Sequence, residues 1–180
     1  MTLAFFGFLR LGEMTCNSPY SPTIHLSLRD ITFLPNILHP EHISVRIKIS
    51  KTDPFRSGQT IIIGKTNQKV CPVRAMTTYL SFRGTTTGPL FHYLSGTPLT
   101  KARLTSETRQ LLPMSGLQPF QYAGHSYRIG AATTSASVGL PPGLIKTLGR
   151  WSSDCYERYI QCPHALFSGV SRELLDNAFN

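Results

Sequence analysis

An almost unbroken apolar stretch, TLAFFGFLRLGEM, lies at positions 2–14 and carries charge at Arg10 and Glu13. This hydrophobic pattern predicts one buried helix. Residues three positions apart share a helix face, so the two charged side chains are expected to be neighbours. Because a buried charge is unfavourable unless it is paired, both residues are candidates for a functional site.

The middle of the chain changes to short runs rich in Ile and Val: DITFLP, HISVRIKIS and QTIIIG. The second run alternates Ile43, Val45, Ile47 and Ile49 with polar residues, which is the period of a half-buried strand. These runs predict a small antiparallel sheet of three strands. The segment KTDPFRSG before the third run contains turn signals, so Lys51 is expected at a strand end beside a hairpin loop.

Helical patterns return after the sheet. In CPVRAMTTYLSFR, Pro72 fits the first turn of a helix, and in TKARLTSETRQLL, Thr100 fits the N-cap. The segment RGTTTGP is predicted to be an exposed loop. Gly and Pro separate four further predicted helices, at about 125–138, 141–148, 152–161 and 165–179. The order of elements predicts one α+β domain over residues 1–180, mostly helical with a small sheet.

The amino-acid composition indicates which kind of partner the chain binds. With 180 residues, of which 41% are hydrophobic, the chain can bury a core of its own. Lys and Arg outnumber Asp and Glu by 18 to 9, giving a formal charge of +9. Such an excess favours a polyanionic partner, with nucleic acid first, over a basic protein that binds none.

Cysteine spacing and hydropathy narrow the class of protein further. The four cysteines show neither a C-x-x-C spacing nor a matching His pair, so neither a zinc site nor a disulfide framework is predicted. The apolar N-terminus lacks a basic region and a small-residue cleavage site, and no apolar run reaches 18 residues. We therefore expect neither a signal peptide nor a membrane span.

The remaining polar residues suit chemistry on a phosphodiester. Two arginines can hold the non-bridging oxygens of one phosphate, and a Lys or His can move protons to and from the bridging oxygens. A tyrosine hydroxyl can attack phosphorus and keep the bond energy as an ester. With nine acidic residues and no carboxylate cluster, a two-metal nuclease is not favoured, and no metal or cofactor is predicted. The candidates in apolar surroundings are Arg10, Glu13, Lys51, His125, Arg128, Arg150, Trp151, Tyr156 and Tyr159.

Five motifs occur in a fixed order: GFLRLGEM, the hairpin KTD, HSYRIGAATTSASVGL, LGRW and YERYI. This order resembles the catalytic domain of the tyrosine recombinase (phage integrase) family over nearly the whole chain. The resemblance is greatest to the DIRS and Crypton recombinases of eukaryotic mobile elements, where GRW replaces the glycine-histidine pair more common in bacterial members. It implies an integrase-like fold, strand cleavage and rejoining in recombination or integration of a mobile element, double-stranded DNA as partner and a nuclear location.

The resemblance also implies roles for the residues that bind and protonate the DNA. Arg10 and Arg128 would clamp the scissile phosphate, and Glu13 would support Arg10. Lys51 would protonate the leaving 5′-oxygen, and His125 would assist as acid or base. No small-molecule ligand and no membrane are expected.

The nucleophile implied by the resemblance is Tyr159, which would form a 3′-phosphotyrosine. Its distance from Arg128 fits the family, whereas Tyr156 lies nearly a turn earlier and is expected to pack against the core. The family's second His/Trp position is ambiguous. Residue type favours Trp151, while the interval from Tyr159 favours Arg150.

Structural explanations compete with these roles. Arg10 and Glu13 could form an ion pair within a helix, His125 could cap a helix, Lys51 could be a solvated hairpin lysine, and Trp151 could be a core anchor. For the whole chain, the alternatives are a catalytically idle or domesticated DNA-binding remnant and a type IB topoisomerase, which shares the same chemistry.

Family members carry a separate N-terminal helical domain that closes around DNA. Arg10 lies nine residues from Met1, so the resemblance implies an N-terminally truncated chain without this core-binding domain. The final predicted helix, at 165–179, has one apolar face. In the family this segment often docks on a neighbouring protomer, so a homo-oligomer on DNA is expected.

Overall fold

The computed structural model describes residues 1–51, 53 and 55–160. The predicted helix at 165–179 lies outside these residues. The described helices and strands follow in chain order: α1 Thr2–Phe6, α2 Leu11–Met14, β1 Ile31–Leu34, β2 His42–Ile47, β3 Gln59–Gly64, α3 Pro72–Arg83, α4 Lys101–Leu111, α5 Ser126–Ser137 and α6 Pro142–Gly149. The 3-10 helices are Leu28–Asp30, Leu112–Ser115, Pro119–Gln121 and Asp154–Tyr159. The predicted α+β class, mostly helical with a small sheet, is confirmed.

The three strands form one antiparallel sheet in the order β1-β2-β3. Ile43 of the central strand pairs with Phe33 on one side and Ile63 on the other. The alternating residues Ile43, Val45 and Ile47 are all essentially inaccessible to solvent. Alternate residues of a strand point to one face, so the sequence period correctly predicted which face is buried.

The prediction of one N-terminal helix is wrong, because the chain breaks between α1 and α2. A β-carbon at Gly7 would lie 2.9 Å from both Ile61 Cδ1 and the Leu3 carbonyl, so only glycine fits the end of α1 against the sheet. Phe8 then takes a left-handed backbone, with φ +49°. The Glu13 carboxylate accepts a bond from the Arg10 backbone N–H and so caps the start of α2.

The start signals predicted for the two middle helices are confirmed. Pro72 occupies the first turn of α3, and the Thr100 hydroxyl accepts a bond from the Arg103 backbone N–H at the start of α4. The predicted loop RGTTTGP is mostly exposed. Its Arg83, however, is buried at the end of α3 and donates to the carbonyls of Leu90 and Pro89.

The buried side chains form two clusters. The larger lies between the sheet, α1 and α3, and the smaller is formed by Phe8, residues of α5 and α6, Trp151 and Tyr156. The segment between α1 and α2 touches both clusters. The α-helix predicted at about 152–161 is instead a 3-10 helix of six residues. None of the helices in the described ranges is long and apolar enough to cross a membrane.

Candidate active site

The centre of the candidate site is the carboxylate of Glu13 in α2, whose side chain is 4% exposed. Its Oε1 accepts bonds from Arg10 Nη1 and from Ser50 Oγ, both at 3.0 Å. Its Oε2 accepts from the Arg10 backbone N–H at 2.9 Å and from Arg150 Nη2 at 2.8 Å. Four donors thus hold one buried carboxylate in a single orientation.

Arg128, in the first turn of α5, is 1% exposed. Its Nη1 donates to the Phe8 carbonyl at 2.6 Å, and its Nη2 donates to the Gly149 carbonyl. The guanidinium carbon also lies 4.1 Å from the ring centroid of Trp151, which is the geometry of a cation–π contact. In this structure the Arg128 side chain therefore joins α5, the end of α6 and the segment after α1.

The guanidinium groups of Arg10 and Arg150 bind one carboxylate, and the Arg128 guanidinium shares the Phe8 carbonyl with that of Arg150. Burial, followed by repulsion from Arg10 and Arg150, lowers the pKa of Arg128 to about 10. Burial also lowers the pKa of Arg150 below its ordinary value. Arg128 still stays protonated at neutral pH, because its pKa lies well above 7. The excess of positive charge favours an anion beside this cluster.

The indole of Trp151 links the arginines to the tyrosines. Its ring centroid lies 5.9 Å from that of Tyr156 and 5.5 Å from that of Tyr159. Tyr156 is 5% exposed, whereas Tyr159 is half-buried. The Thr133 hydroxyl donates to the backbone carbonyl of Tyr159 at 3.0 Å. Of the two tyrosines, Tyr159 is thus the more accessible.

Trp151 requires a glycine at position 149. A β-carbon on Gly149 would lie 1.5 Å from Cζ3 of the indole, so the ring occupies the space of a side chain there. We expect Gly149→Ala to displace Trp151 from Arg128 and to lower the free energy of unfolding by about 1–3 kcal/mol or more. Urea unfolding followed by the fluorescence of Trp151, the one tryptophan of the chain, measures both effects.

The matched control for this substitution is Gly143→Ala in the same helix, where an added β-carbon meets nothing within 4 Å. We expect it to leave the fluorescence unchanged. Equal effects of the two substitutions would contradict the packing described for Trp151.

Of the predicted site residues, the structure brings Arg10, Glu13, Arg128, Trp151 and Tyr159 into one network of contacts. Arg10 is the most accessible of the three arginines, with 20% of its side chain exposed. A phosphate clamp needs donors that face outward, and the Arg128 bonds described above face the protein interior. Arg10 is therefore the arginine that this structure presents to a ligand.

Lys51 and His125 are both exposed. Lys51 lies in the loop after β2, and His125 immediately precedes α5. Two neighbouring lysines have other roles. Lys48 Nζ pairs with Asp30 at 2.5 Å and also donates to backbone carbonyls, and Lys65 pairs with Glu41 at 3.2 Å. The role of Lys51 as a proton donor stays a prediction.

Sequence reasoning missed two contributions to this network. Ser50 bridges Arg10 and Glu13, since its hydroxyl accepts a bond from Arg10 Nη1 at 2.9 Å and donates one to Glu13. Arg150 forms a buried ion pair with Glu13. The only signals for these roles were the position of Ser50 beside Lys51 and the interval between Arg150 and Tyr159.

No protein-family model matches the chain. A curated relative, the integrase/recombinase xerD homolog of Selenomonas ruminantium, is 27% identical over 167 residues, covering 88% of this chain and 45% of the relative. The solved XerA recombinase has a TM-score of 0.68 at 16% identity, covering 96% of this chain and 54% of that chain. The Tn1549 transposon integrase in complex with circular intermediate DNA has a TM-score of 0.62 at 16% identity, covering 97% and 58%.

The fold is thus that of the catalytic domain of integrase-type recombinases. The likeness in sequence to the curated recombinase, together with this fold, supports membership of the tyrosine recombinase family and similarity to its XerD-like integrases. The chain spans about half the length of these relatives. The narrower resemblance to DIRS and Crypton recombinases stays a prediction.

Proposed function

We propose that this chain cleaves and rejoins DNA strands in site-specific recombination, through a covalent phosphotyrosine intermediate. The observation that carries the proposal is the continuous network from Arg10 through Glu13 and Arg150, beside the stack of Arg128, Trp151 and Tyr159. In this network, positive charge lies beside the half-buried Tyr159, in a chain with the fold of integrase-type recombinases.

In the proposed reaction, the Tyr159 hydroxyl attacks the phosphorus of the scissile phosphodiester, and the bond from phosphorus to the 5′-oxygen breaks. His125 accepts the phenol proton and Lys51 supplies a proton to the leaving 5′-oxygen. Arg10 donates to the phosphate in the transition state, and the buried positive charge of Arg128, which interacts with that of Arg10, adds to the stabilisation of the additional negative charge. One phosphodiester replaces another, so the reverse attack by a 5′-hydroxyl rejoins strands without an external energy source.

Double-stranded DNA is the proposed partner, supported by the formal charge of +9 and by the DNA in the complex of the transposon integrase. Because binding to phosphates releases counterions, affinity for unrelated duplexes should fall at least about tenfold between roughly 50 and 200 mM salt. Fluorescence anisotropy of a labelled duplex measures this dependence. Binding that does not change with salt would contradict an electrostatic interface.

The experiment that tests the proposed function is incubation of the chain with a nicked duplex carrying its target site, at low salt and in EDTA. Because guanidinium groups supply the positive charge, we expect a covalent protein–DNA adduct on a denaturing gel without added metal. A folded chain that binds DNA but forms no adduct would support the idle DNA-binding remnant. Relaxation of supercoiled plasmids lacking a target site would support a topoisomerase.

The mobile-element setting is a finer part of this proposal. The motif LGRW and the likeness to a transposon integrase support it. The nuclear location rests on the resemblance to eukaryotic elements alone.

We also propose that residues 165–180 support assembly of the protein on DNA. Sedimentation of the DNA complex with and without that segment tests this, and an unchanged mass would count against it.

A further inference from the structure

Arg150 and Trp151 are adjacent in sequence, yet their side chains have different environments. Trp151 contacts Arg128 and Tyr159, whereas the Arg150 guanidinium extends to Glu13. The backbone explains the divergence, because Arg150 ends α6 in a left-handed conformation with φ +56°. The interval from Tyr159 selects Arg150 for the second His/Trp position, and residue type selects Trp151. In the structure these two residues make different contacts.

The Arg150 side chain is 3% exposed and contacts two groups next to Arg10, the Glu13 carboxylate and the turn at Gly7 and Phe8. Its Nη2 pairs with Glu13, and the same guanidinium donates to the carbonyls of Gly7 at 3.0 Å and Phe8 at 3.2 Å. Those carbonyls belong to the turn that leads into Arg10. Arg150 thus fixes the backbone before Arg10 and the carboxylate that orients its guanidinium.

The charge balance of this network matters for binding an anion. Glu13 is shared between Arg10 on the accessible side and Arg150 on the buried side. With Arg150 absent, the buried carboxylate would retain Arg10 as its ion-pair partner and would compete with a phosphate for its donors. With Arg150 present, the carboxylate is neutralised from the interior, so Arg10 is oriented by Glu13 while its charge is available to an anion.

We propose that Arg150 is a positioning residue for strand cleavage, acting chiefly through its ion pair with Glu13 to set the orientation and the effective charge of Arg10. This inference rests on the proposed function. It assigns contact with the tyrosine to Trp151 and an interior role to Arg150, which does not itself touch the DNA.

The test compares Arg150→Met and Arg150→Lys for single-turnover adduct formation at saturating nicked DNA, with DNA affinity measured separately. We expect Arg150→Met to cleave about 100-fold more slowly, the scale of a small misplacement of reacting groups. Its DNA affinity should change little, because a duplex is bound through many phosphate contacts and Arg10 makes only one of them. Arg150→Lys keeps the charge beside Glu13 and should recover most of the rate.

Arg83→Met is the matched control, since it also removes a buried arginine that donates to backbone carbonyls. It should lower stability and leave the cleavage rate of the folded fraction unchanged. Should Arg150→Met fail to fold, Glu13→Gln with Arg150→Met removes both buried charges together, which is better tolerated than removing one. That double variant should cleave at the rate of Glu13→Gln alone.

Each other outcome overturns the inference. A wild-type rate in Arg150→Met, no rescue by lysine, weaker DNA binding with a normal saturated rate, or an equal slowing by Arg83→Met would each do so. So would a double variant much slower than Glu13→Gln. These results leave the proposed function intact, whereas failure of the wild-type chain to form an adduct refutes the proposed function itself and the positioning role with it.

Discussion

Tyr159→Phe is expected to abolish the covalent protein–DNA adduct, while Tyr156→Phe keeps most of it. A 3-10 helix has three residues per turn, so the two side chains point the same way and both face Trp151. The two tyrosines differ in solvent exposure, since Tyr156 is 5% exposed and Tyr159 is half-buried. We therefore expect the more accessible residue, Tyr159, to attack a phosphate bound at Arg10.

The measurement is adduct yield on nicked duplex, with the folded state of each variant checked by the fluorescence of Trp151. Tyr156→Phe is a demanding control, since it removes a hydroxyl from the same short helix and the same aromatic cluster. Adduct that persists in Tyr159→Phe would contradict the assignment of the nucleophile.

Arg128→Ala is expected to eliminate detectable cleavage. Loss of one group that stabilises a charged transition state lowers rates by about 10²–10³, and Arg128 supplies a buried positive charge that interacts with Arg10. The structure adds a second reason, because Arg128 also bonds the carbonyls of Phe8 and Gly149 and stacks on Trp151. Arg150 still donates to the Phe8 carbonyl, but the buried Gly149 carbonyl loses its Arg128 donor, which should lower the free energy of unfolding by about 1–3 kcal/mol.

Arg128→Lys separates the two consequences. It keeps a positive charge but cannot bond both carbonyls with one planar group. We expect it to be more stable than Arg128→Ala in urea and still strongly impaired in single-turnover cleavage. A lysine variant that cleaves at the wild-type rate would show that the fork of the guanidinium is dispensable.

Local signals predicted much of the fold. The alternation of Ile43, Val45 and Ile47 identified the buried face of the sheet, and Pro72 and Thr100 marked helix starts, because each depends on residues a few positions apart. The N-terminal helix was predicted wrongly for the opposite reason. Gly7, at the end of α1, packs against Ile61 of β3, more than 50 residues later, and no local pattern contains that contact.

The candidate site divides in the same way. The motif order indicated Arg10, Glu13, Arg128, Trp151 and Tyr159, and the structure places them in one network. The motif order did not indicate the ion pair between Glu13 and Arg150, which joins residues 137 positions apart. Nor did it indicate that Arg128 is buried, because burial is set by how α5, α6 and the N-terminal segment pack together.

The most direct test of the proposed chemistry is mass spectrometry of the adduct formed by the wild-type chain on a nicked duplex. After digestion of the protein and the DNA, we expect a nucleotide joined through its 3′-phosphate to Tyr159. A nucleotide attached to Tyr156, attachment to a residue other than tyrosine, or a folded, DNA-bound chain without any attached nucleotide would contradict cleavage by Tyr159.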